Sequence, residues 1–174
     1  MSETRRLPAV AEAGAVAGIL RADPAWLAAH PELCQALRAA SGMNERVQAA
    51  VLALLRGGDA AECVSSEMPH LLGIDAAAVC AEHPDGGWHV LPAGTVARLL
   101  DGRDVVFRAA PADAFMLHGE AARLARHDAL VRLPGHGPPA LLALASRDAC
   151  ALDPAQGAGA LAFLGRAVAV ALGR

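Results

Sequence analysis

The chain has 174 residues, of which 55% are hydrophobic and 19% charged, and its formal net charge at pH 7 is −3. This composition is too apolar for a disordered chain, and the negative balance argues against nucleic-acid binding, which usually needs a basic surface. Charged residues or prolines interrupt each apolar run before the roughly 18 residues that a membrane-spanning helix needs. The surplus of apolar surface instead favours a subunit interface.

Residues 8–40 predict a small helical unit, because apolar residues recur at helical spacing. Asp23 followed by Pro24 is a typical helix start. Two arginines precede the apolar stretch, but polar residues and a proline interrupt it and no clear cleavage site follows. A helix is therefore favoured over a secretion signal. We predict an N-terminal helical domain over residues 1–42 and a second domain over residues 43–174.

The second domain begins with two predicted helices. Residues 44–56 carry one apolar stripe with polar residues beside it, and two glycines follow. Asp59 with Glu62 three residues later resembles a capping box, which starts the next helix. Gly73 provides a typical end for that helix.

After Gly73 the hydrophobic period changes, and the chain predicts short strands and helices. Strands are predicted over residues 76–82, 88–91, 105–108, 129–133 and 140–145. Short helices are predicted over residues 95–100 and 120–126, and a long final helix begins at Pro154, capped by Asp153. The turn residues 84–87 predict a hairpin between the first two strands. Short connections favour an antiparallel sheet, so we predict an α+β fold with a GAF-like antiparallel sheet flanked by helices.

The final helix is apolar around most of its circumference, which predicts burial on more than one side. Two apolar faces can be read from its sequence: Leu161, Leu164, Val168 and Leu172 on one, and Phe163, Ala167 and Val170 on the other. The sheet can cover one face. A homodimer built on this helix and on residues 44–56 can cover the other, and the N-terminal helical unit is the alternative cover.

Several short blocks of the chain resemble, in the right order, the domain of unknown function 484 family. They span residues 27–33, 44–55, 128–133, 141–148, 156–157 and 161–165. The resemblance implies a GAF-like domain in a bacterial cytoplasmic protein whose biochemical activity is not established. Genes of that family often lie near a tyrosine recombinase gene, which implies a protein partner.

The chain departs from the family pattern at several positions. Its linker before residue 44 is shorter. His118 stands where phenylalanine is usual, His127 where serine is frequent, and Leu152 where an aromatic residue is usual. A pocket at this place would therefore hold a different ligand from that of the family, or none.

Polar residues around the predicted helix 120–126 are the candidate ligand-binding residues. They are His118, Glu120, Arg123, His127 and Arg132. Histidine, carboxylate and guanidinium groups at the mouth of a GAF-type cavity can bind an anion or a small ligand. Exposed or capping side chains are the alternative, because the spacing of the two histidines does not match a compact metal site.

No catalytic or nucleotide-binding motif accompanies this cluster. The chain lacks a G-x-S-x-G elbow, a phosphate-binding glycine loop and a dinucleotide fingerprint. Its four cysteines are scattered without CxxC spacing, which favours reduced, buried thiols in the cytoplasm. We therefore predict a non-catalytic regulatory or scaffolding module and name no cofactor. A purely structural interaction module and an enzyme using His118 or His127 are the competing hypotheses.

Overall fold

The computed structural model describes residues 42–83 and 88–174. The predicted N-terminal helical unit, except for Gly42, lies outside the described residues, and so does the predicted turn over residues 84–87.

Six α-helices and five strands make up the described part of the chain. The helices are α1 (Met43–Leu55), α2 (Ala60–Glu62), α3 (Met68–Leu72), α4 (Thr95–Leu100), α5 (Ala114–His118) and α6 (Pro154–Ala171). A π-helical segment, Cys63–Glu67, joins α2 to α3, and 3-10 helices cover Gly119–Leu124 and Ala149–Leu152. The strands are β1 (Ala76–Glu82), β2 (His89–Leu91), β3 (Val105–Ala109), β4 (His127–Leu133) and β5 (Ala140–Ser146).

The strands form one mostly antiparallel sheet in the order β2-β1-β5-β4-β3, which confirms the predicted α+β class. This arrangement is compatible with a GAF-like fold. The predicted hairpin between the first two strands is wrong, because β2 runs parallel to β1, with Cys80 beside His89 and Glu82 beside Leu91. The two strands of a hairpin run antiparallel. The parallel pairing of β2 with β1 therefore excludes a hairpin between them.

The central strand β5 is buried along its whole length, and alternate residues pack into two separate cores. Its Leu142 and Leu144 belong to the first core, beneath α1, α3 and α6. Its Leu141 and Ala143 belong to the second core, beneath α4 and α5. Both faces of the sheet are therefore covered by helices. We call the face that carries the second core the second face.

The long helix α6 packs on β3 and β4, and α1 packs beside α6. The helix approaches the sheet most closely at Gly165. A Cβ atom placed there would lie 2.5 Å from the carbonyl oxygen of Arg132 and 2.7 Å from Cγ1 of Val131. Only glycine fits this position without moving the helix.

Local capping chemistry sets the helix boundaries. Asp59 Oδ1 accepts hydrogen bonds from the amides of Ala61 and Glu62, and Asp153 Oδ1 accepts one from the amide of Ala155. At the end of α3, Gly73 adopts φ +68°. These caps confirm the predicted starts of α2 and α6 and the predicted end of α3.

The helix α4 is observed over the predicted residues 95–100, whereas the helix predicted over residues 120–126 differs from the structure. The chain forms α5 earlier, over Ala114–His118, and continues as the 3-10 helix Gly119–Leu124. Gly119 separates them, because its φ of +52° is incompatible with a continuous α-helix. Within residues 42–83 and 88–174, no helix combines the length and apolar character needed to cross a membrane.

Candidate functional site

The candidate site is a buried polar network between α5 and the strand pair β3–β4. His118, at the end of α5, has a fully buried side chain. Its Nε2 lies 3.3 Å from Oδ2 of Asp128, whose side chain is also fully buried. The network therefore ties the helical layer to the second face of the sheet.

Arg108 supplies the positive charge of the network. It stands directly opposite Asp128 in the antiparallel pairing of β3 with β4. Its Nε and Nη2 donate to the two carboxylate oxygens of Asp128 at 2.9 and 2.5 Å, which is the bidentate geometry of a strong ion pair. Its Nη1 lies 2.9 Å from Oδ1 of Asp113, just before α5. One guanidinium thus holds two carboxylates.

The charges in the network keep Asp128 ionised. Burial alone would raise the pKa of the Asp128 carboxyl, but hydrogen bonds from Arg108 and His118, with the charge of Arg108, outweigh it and lower that pKa. Burial likewise disfavours the charged guanidinium, yet its two carboxylate partners raise the pKa of Arg108. An ionised Asp128 can only accept, so Nε2 of His118 carries the proton in this contact. Its Nδ1 has no hydrogen-bond partner among the described residues.

Neither His118 nor Asp128 has exposed side-chain surface, so no substrate in solution reaches this pair in the observed conformation. The nearby thiol of Cys80 is equally inaccessible to solvent. Its Sγ donates to the carbonyl oxygen of Leu117 at 3.4 Å, and burial raises the pKa of Cys80 to about 12. A thiol with this pKa is a structural group, since the thiolate is the reactive form.

We expect Cys80 to resist alkylation in the folded protein. With a pKa of about 12, about one molecule in ten thousand carries the thiolate at pH 8. Cys150 is exposed and serves as the internal control. Iodoacetamide labelling followed by peptide mapping should modify Cys150 first and Cys80 only after unfolding. Equal labelling rates at the two cysteines in the native state would contradict this assignment.

The structure does not bring the five predicted ligand-binding residues together. Glu120 and Arg123 are exposed, while His118 is buried. His127 adjoins Asp128 on β4, so its side chain leaves from the opposite face of the sheet. Arg132 lies five residues after His127 on that strand, roughly 16 Å from it.

Arg132 has local partners of its own. Its Nη2 donates to the carbonyl oxygen of Arg103 at 3.1 Å, and its Nε lies 3.5 Å from Oδ1 of Asp104. These contacts hold the guanidinium beside the connection into β3. Arg132 thus stabilises the edge of the sheet near the start of β3. It does not belong to the network of His118 and Asp128.

The space between the sheet and the helices of the second face is filled by side chains. The second core consists of Cys80, Leu91, Val96, Leu100, Leu117, Leu130, Leu141 and Ala143, all almost completely buried. Leu117 enters this core from α5, next to His118. A ligand at this place would have to displace the α5 segment.

Sequence reasoning identified His118 but missed the other members of the network, Arg108, Asp113 and Asp128. The available signal was a charged residue in a predicted strand, since Asp128 directly precedes the apolar residues Ala129, Leu130 and Val131 of β4. Buried carboxylates are rare unless paired, so such a residue predicts a nearby cation. The identity of that cation depends on the register of β3 against β4.

Glu82 is a second buried carboxylate, and it has a structural role. Its two carboxylate oxygens accept from the amides of Gly94 and Val96, each at 2.8 Å, so it caps α4 from a neighbouring strand. Among the described residues, no three His, Cys, Asp or Glu side chains lie close enough to hold a metal ion.

No protein-family model matches the chain and no curated protein matches it at a significant level, so the resemblance to the domain of unknown function 484 family stays a prediction.

Proposed function

We propose that this chain is a non-catalytic regulatory or scaffolding module that acts as a homodimer through the outer faces of α1 and α6. One observation carries the proposal: large apolar side chains are exposed on both helices. Leu52 and Leu55 of α1 are 63% and 75% exposed, and Phe163 and Val170 of α6 are 48% and 76% exposed. We call these four residues the α1–α6 face.

The α1–α6 face has the features that a symmetric interface requires. Leu52 and Leu55 are three residues apart, and Phe163 and Val170 are seven apart, so each pair lies along one side of its helix. The two helices pack against each other and bury their inner sides in the first core. A second copy presents the same apolar residues, so an isologous pairing is self-complementary.

The buried network and the filled second face support a scaffold over an enzyme. An enzyme that used His118 would need substrate to reach its imidazole, and that side chain has no exposed surface. A sensor with a ligand in the sheet cavity would need the second core to open. A scaffold needs neither change.

The cysteines support a reducing compartment for this module. Cys63, Cys80 and Cys150 are free thiols in the described residues. Secreted domains of this size more often pair their cysteines, whereas cytoplasmic proteins keep them reduced. We therefore infer a cytoplasmic location.

Sedimentation of the full chain tests the dimer. We expect the double substitution Leu55→Glu and Val170→Glu to raise the dissociation constant at least about tenfold, because each glutamate would be desolvated in the interface. Phe115→Glu is the matched control. Phe115 is 78% exposed but lies on α5, on the opposite side of the sheet, so its substitution should leave the dimer intact.

Two results would overturn the assignment. A wild-type chain that sediments as a monomer at micromolar concentration would remove the dimer. A dimer weakened equally by Phe115→Glu would place the interface elsewhere. Far-UV circular dichroism of each variant should stay unchanged, since all three positions are exposed and contribute little to the core.

A further inference from the structure

The strand β3 forms one edge of the sheet, and its neighbour is β4. The amide of Ala110 donates to the carbonyl oxygen of Arg126, and the amide of Arg132 donates to that of Asp104. Because the bonded residues alternate along an antiparallel pair, the even-numbered residues of β3 direct their backbone groups towards β4. The odd-numbered residues direct theirs away from the sheet.

The outward backbone groups of β3 are those of Val105, Phe107 and Ala109. Within residues 42–83 and 88–174, none of these N–H and C=O groups has a hydrogen-bond partner. The side chains of Val105 and Phe107 are half-buried, and Ala109 is exposed. An edge of this kind is a template for another strand, because an extended backbone satisfies all of its donors and acceptors at once.

The strand β3 lacks the features that usually block an open edge. Its register with β4 is continuous from Val105 to Ala109, so it has no bulge, and it contains no proline or lysine. Its one charged residue, Arg108, is bound to Asp128 and Asp113. The opposite edge of the sheet, β2, differs because it is only three residues long.

The outward groups of β3 are complementary to those of a second copy of the chain. Two β3 strands that run antiparallel about a twofold axis at Phe107 place Val105 of each copy opposite Ala109 of the other. Every outward N–H of one copy then meets an outward C=O of its partner. The two Phe107 side chains lie next to each other on the face of the first core, where they form a cross-strand aromatic pair.

The exposed charges beside β3 are complementary about the same axis. Asp104 lies opposite Ala110 of the partner subunit, and Ala110 is hydrogen-bonded to Arg126 in its own chain. The Asp104 side chain is 69% exposed, and Arg126 is exposed and makes no ion pair among the described residues. Strand alternation directs both side chains to the second face, so Asp104 of each copy approaches the partner's Arg126.

We propose that β3 pairs with β3 of a second copy and joins the two sheets into one. The surface consists of Val105–Ala109 with Asp104 and Arg126 beside it, and we call it the β3 edge. It shares no residue with the α1–α6 face, so this pairing goes beyond the proposed dimer and does not rest on it. A chain with two self-complementary surfaces assembles into particles larger than a dimer, as a scaffolding module can.

Amide hydrogen exchange of the full chain, followed by NMR at increasing protein concentration, tests the pairing. We expect the amides of Val105, Phe107 and Ala109 to exchange rapidly in dilute protein and at least about tenfold more slowly once the copies pair. The amides of Val106 and Arg108 are the internal control, because they are bonded to β4 and should stay protected throughout. Exchange at the odd-numbered positions that is independent of concentration would overturn the proposal.

Sedimentation separates the β3 edge from the α1–α6 face. Protein that carries Leu55→Glu and Val170→Glu retains the β3 edge, so we expect it to form a dimer and no larger particle. Adding Ala109→Pro should weaken this dimer at least about tenfold, because proline removes an outward N–H that β4 does not use. A Leu55→Glu and Val170→Glu protein that is already monomeric would overturn the β3 pairing. If Ala109→Pro alone makes the wild-type chain monomeric, the α1–α6 dimer fails instead.

A charge exchange tests the register of the pairing. In the Leu55→Glu and Val170→Glu protein, Asp104→Arg should weaken the dimer about fivefold, and adding Arg126→Glu should restore it with reversed ion pairs. Glu62→Arg is the matched control. Glu62 is exposed, and it directly precedes the segment that packs on β1, which β5 and β4 separate from β3. Equal effects of Asp104→Arg and Glu62→Arg, or no recovery in the charge-exchanged protein, would contradict the pairing about Phe107.

Discussion

Replacing Gly165 with alanine should lower the free energy of unfolding by about 1–3 kcal/mol or more, the usual cost of overpacking a core. The added methyl group would lie 2.5 Å from the Arg132 carbonyl oxygen and 2.7 Å from Val131 Cγ1. One of these atoms belongs to the backbone of β4, so rotamer changes alone cannot make room. The helix α6 must shift away from the strand. Urea denaturation of the two proteins measures the loss.

Gly159→Ala is the matched control for this substitution. It lies in the same helix, is exposed, and has no atom within 4 Å of an added Cβ. Helix propensity predicts a gain of about 1 kcal/mol at this site. The two substitutions should therefore have opposite signs. A loss at Gly159, or an unchanged stability at Gly165, would contradict the close approach of α6 to β4.

Replacing Asp128 with asparagine should lower the free energy of unfolding by about 3–5 kcal/mol, the usual cost of breaking a buried ion pair. The substitution preserves the shape of the side chain but leaves Asp113 as the only carboxylate that contacts the guanidinium of Arg108 among the described residues. Asp113→Asn is the control. The Asp113 side chain is 27% exposed and Arg108 would retain Asp128, so we expect a loss of less than about 1 kcal/mol.

The pH dependence of this loss provides an independent check. The pKa of Asp128 is lowered in the folded protein, so its stabilisation is complete above the ordinary aspartate pKa of about 3.9 and disappears as pH falls through the lower folded value. The stability difference between wild type and Asp128→Asn should be constant near neutral pH and shrink below about pH 4. A difference that is unchanged across this acid range would show that charge is not its source.

Local signals were sufficient to predict most element boundaries. Asp59 and Asp153 cap their helices, and Gly73 ends α3 in a left-handed conformation, all through contacts within a few residues. The direction of β2 was not predictable in this way, because its parallel pairing with β1 is a tertiary contact that no local signal sets. The helix α5 was missed for a related reason. Its five residues are too few to show a hydrophobic period, and the helix predicted over residues 120–126 begins just after the break at Gly119.

The candidate site was predictable only in part. His118 could be singled out as a histidine in an apolar segment. Its contact with Asp128 requires α5 to pack on β4, and the ion pair with Arg108 requires a specific register between β3 and β4. Those distances are set by tertiary structure. The other predicted residues are near His118 in sequence, yet strand alternation and strand length separate His127 and Arg132 from it.

The central position of β5 has a consequence for how the chain folds. Its neighbours are β1 and β4, and the pairing with β1 joins Ala76 to Ala145 and Val79 to Leu142, residues far apart along the chain. Such contacts close a large loop before they gain stability, which makes folding slow. During synthesis α1 and β1 leave the ribosome well before their sheet partner. Until β5 follows, the inner edge of β1 and the apolar surfaces of both cores have nothing to pair with, so this interval is when the protein is most exposed to aggregation.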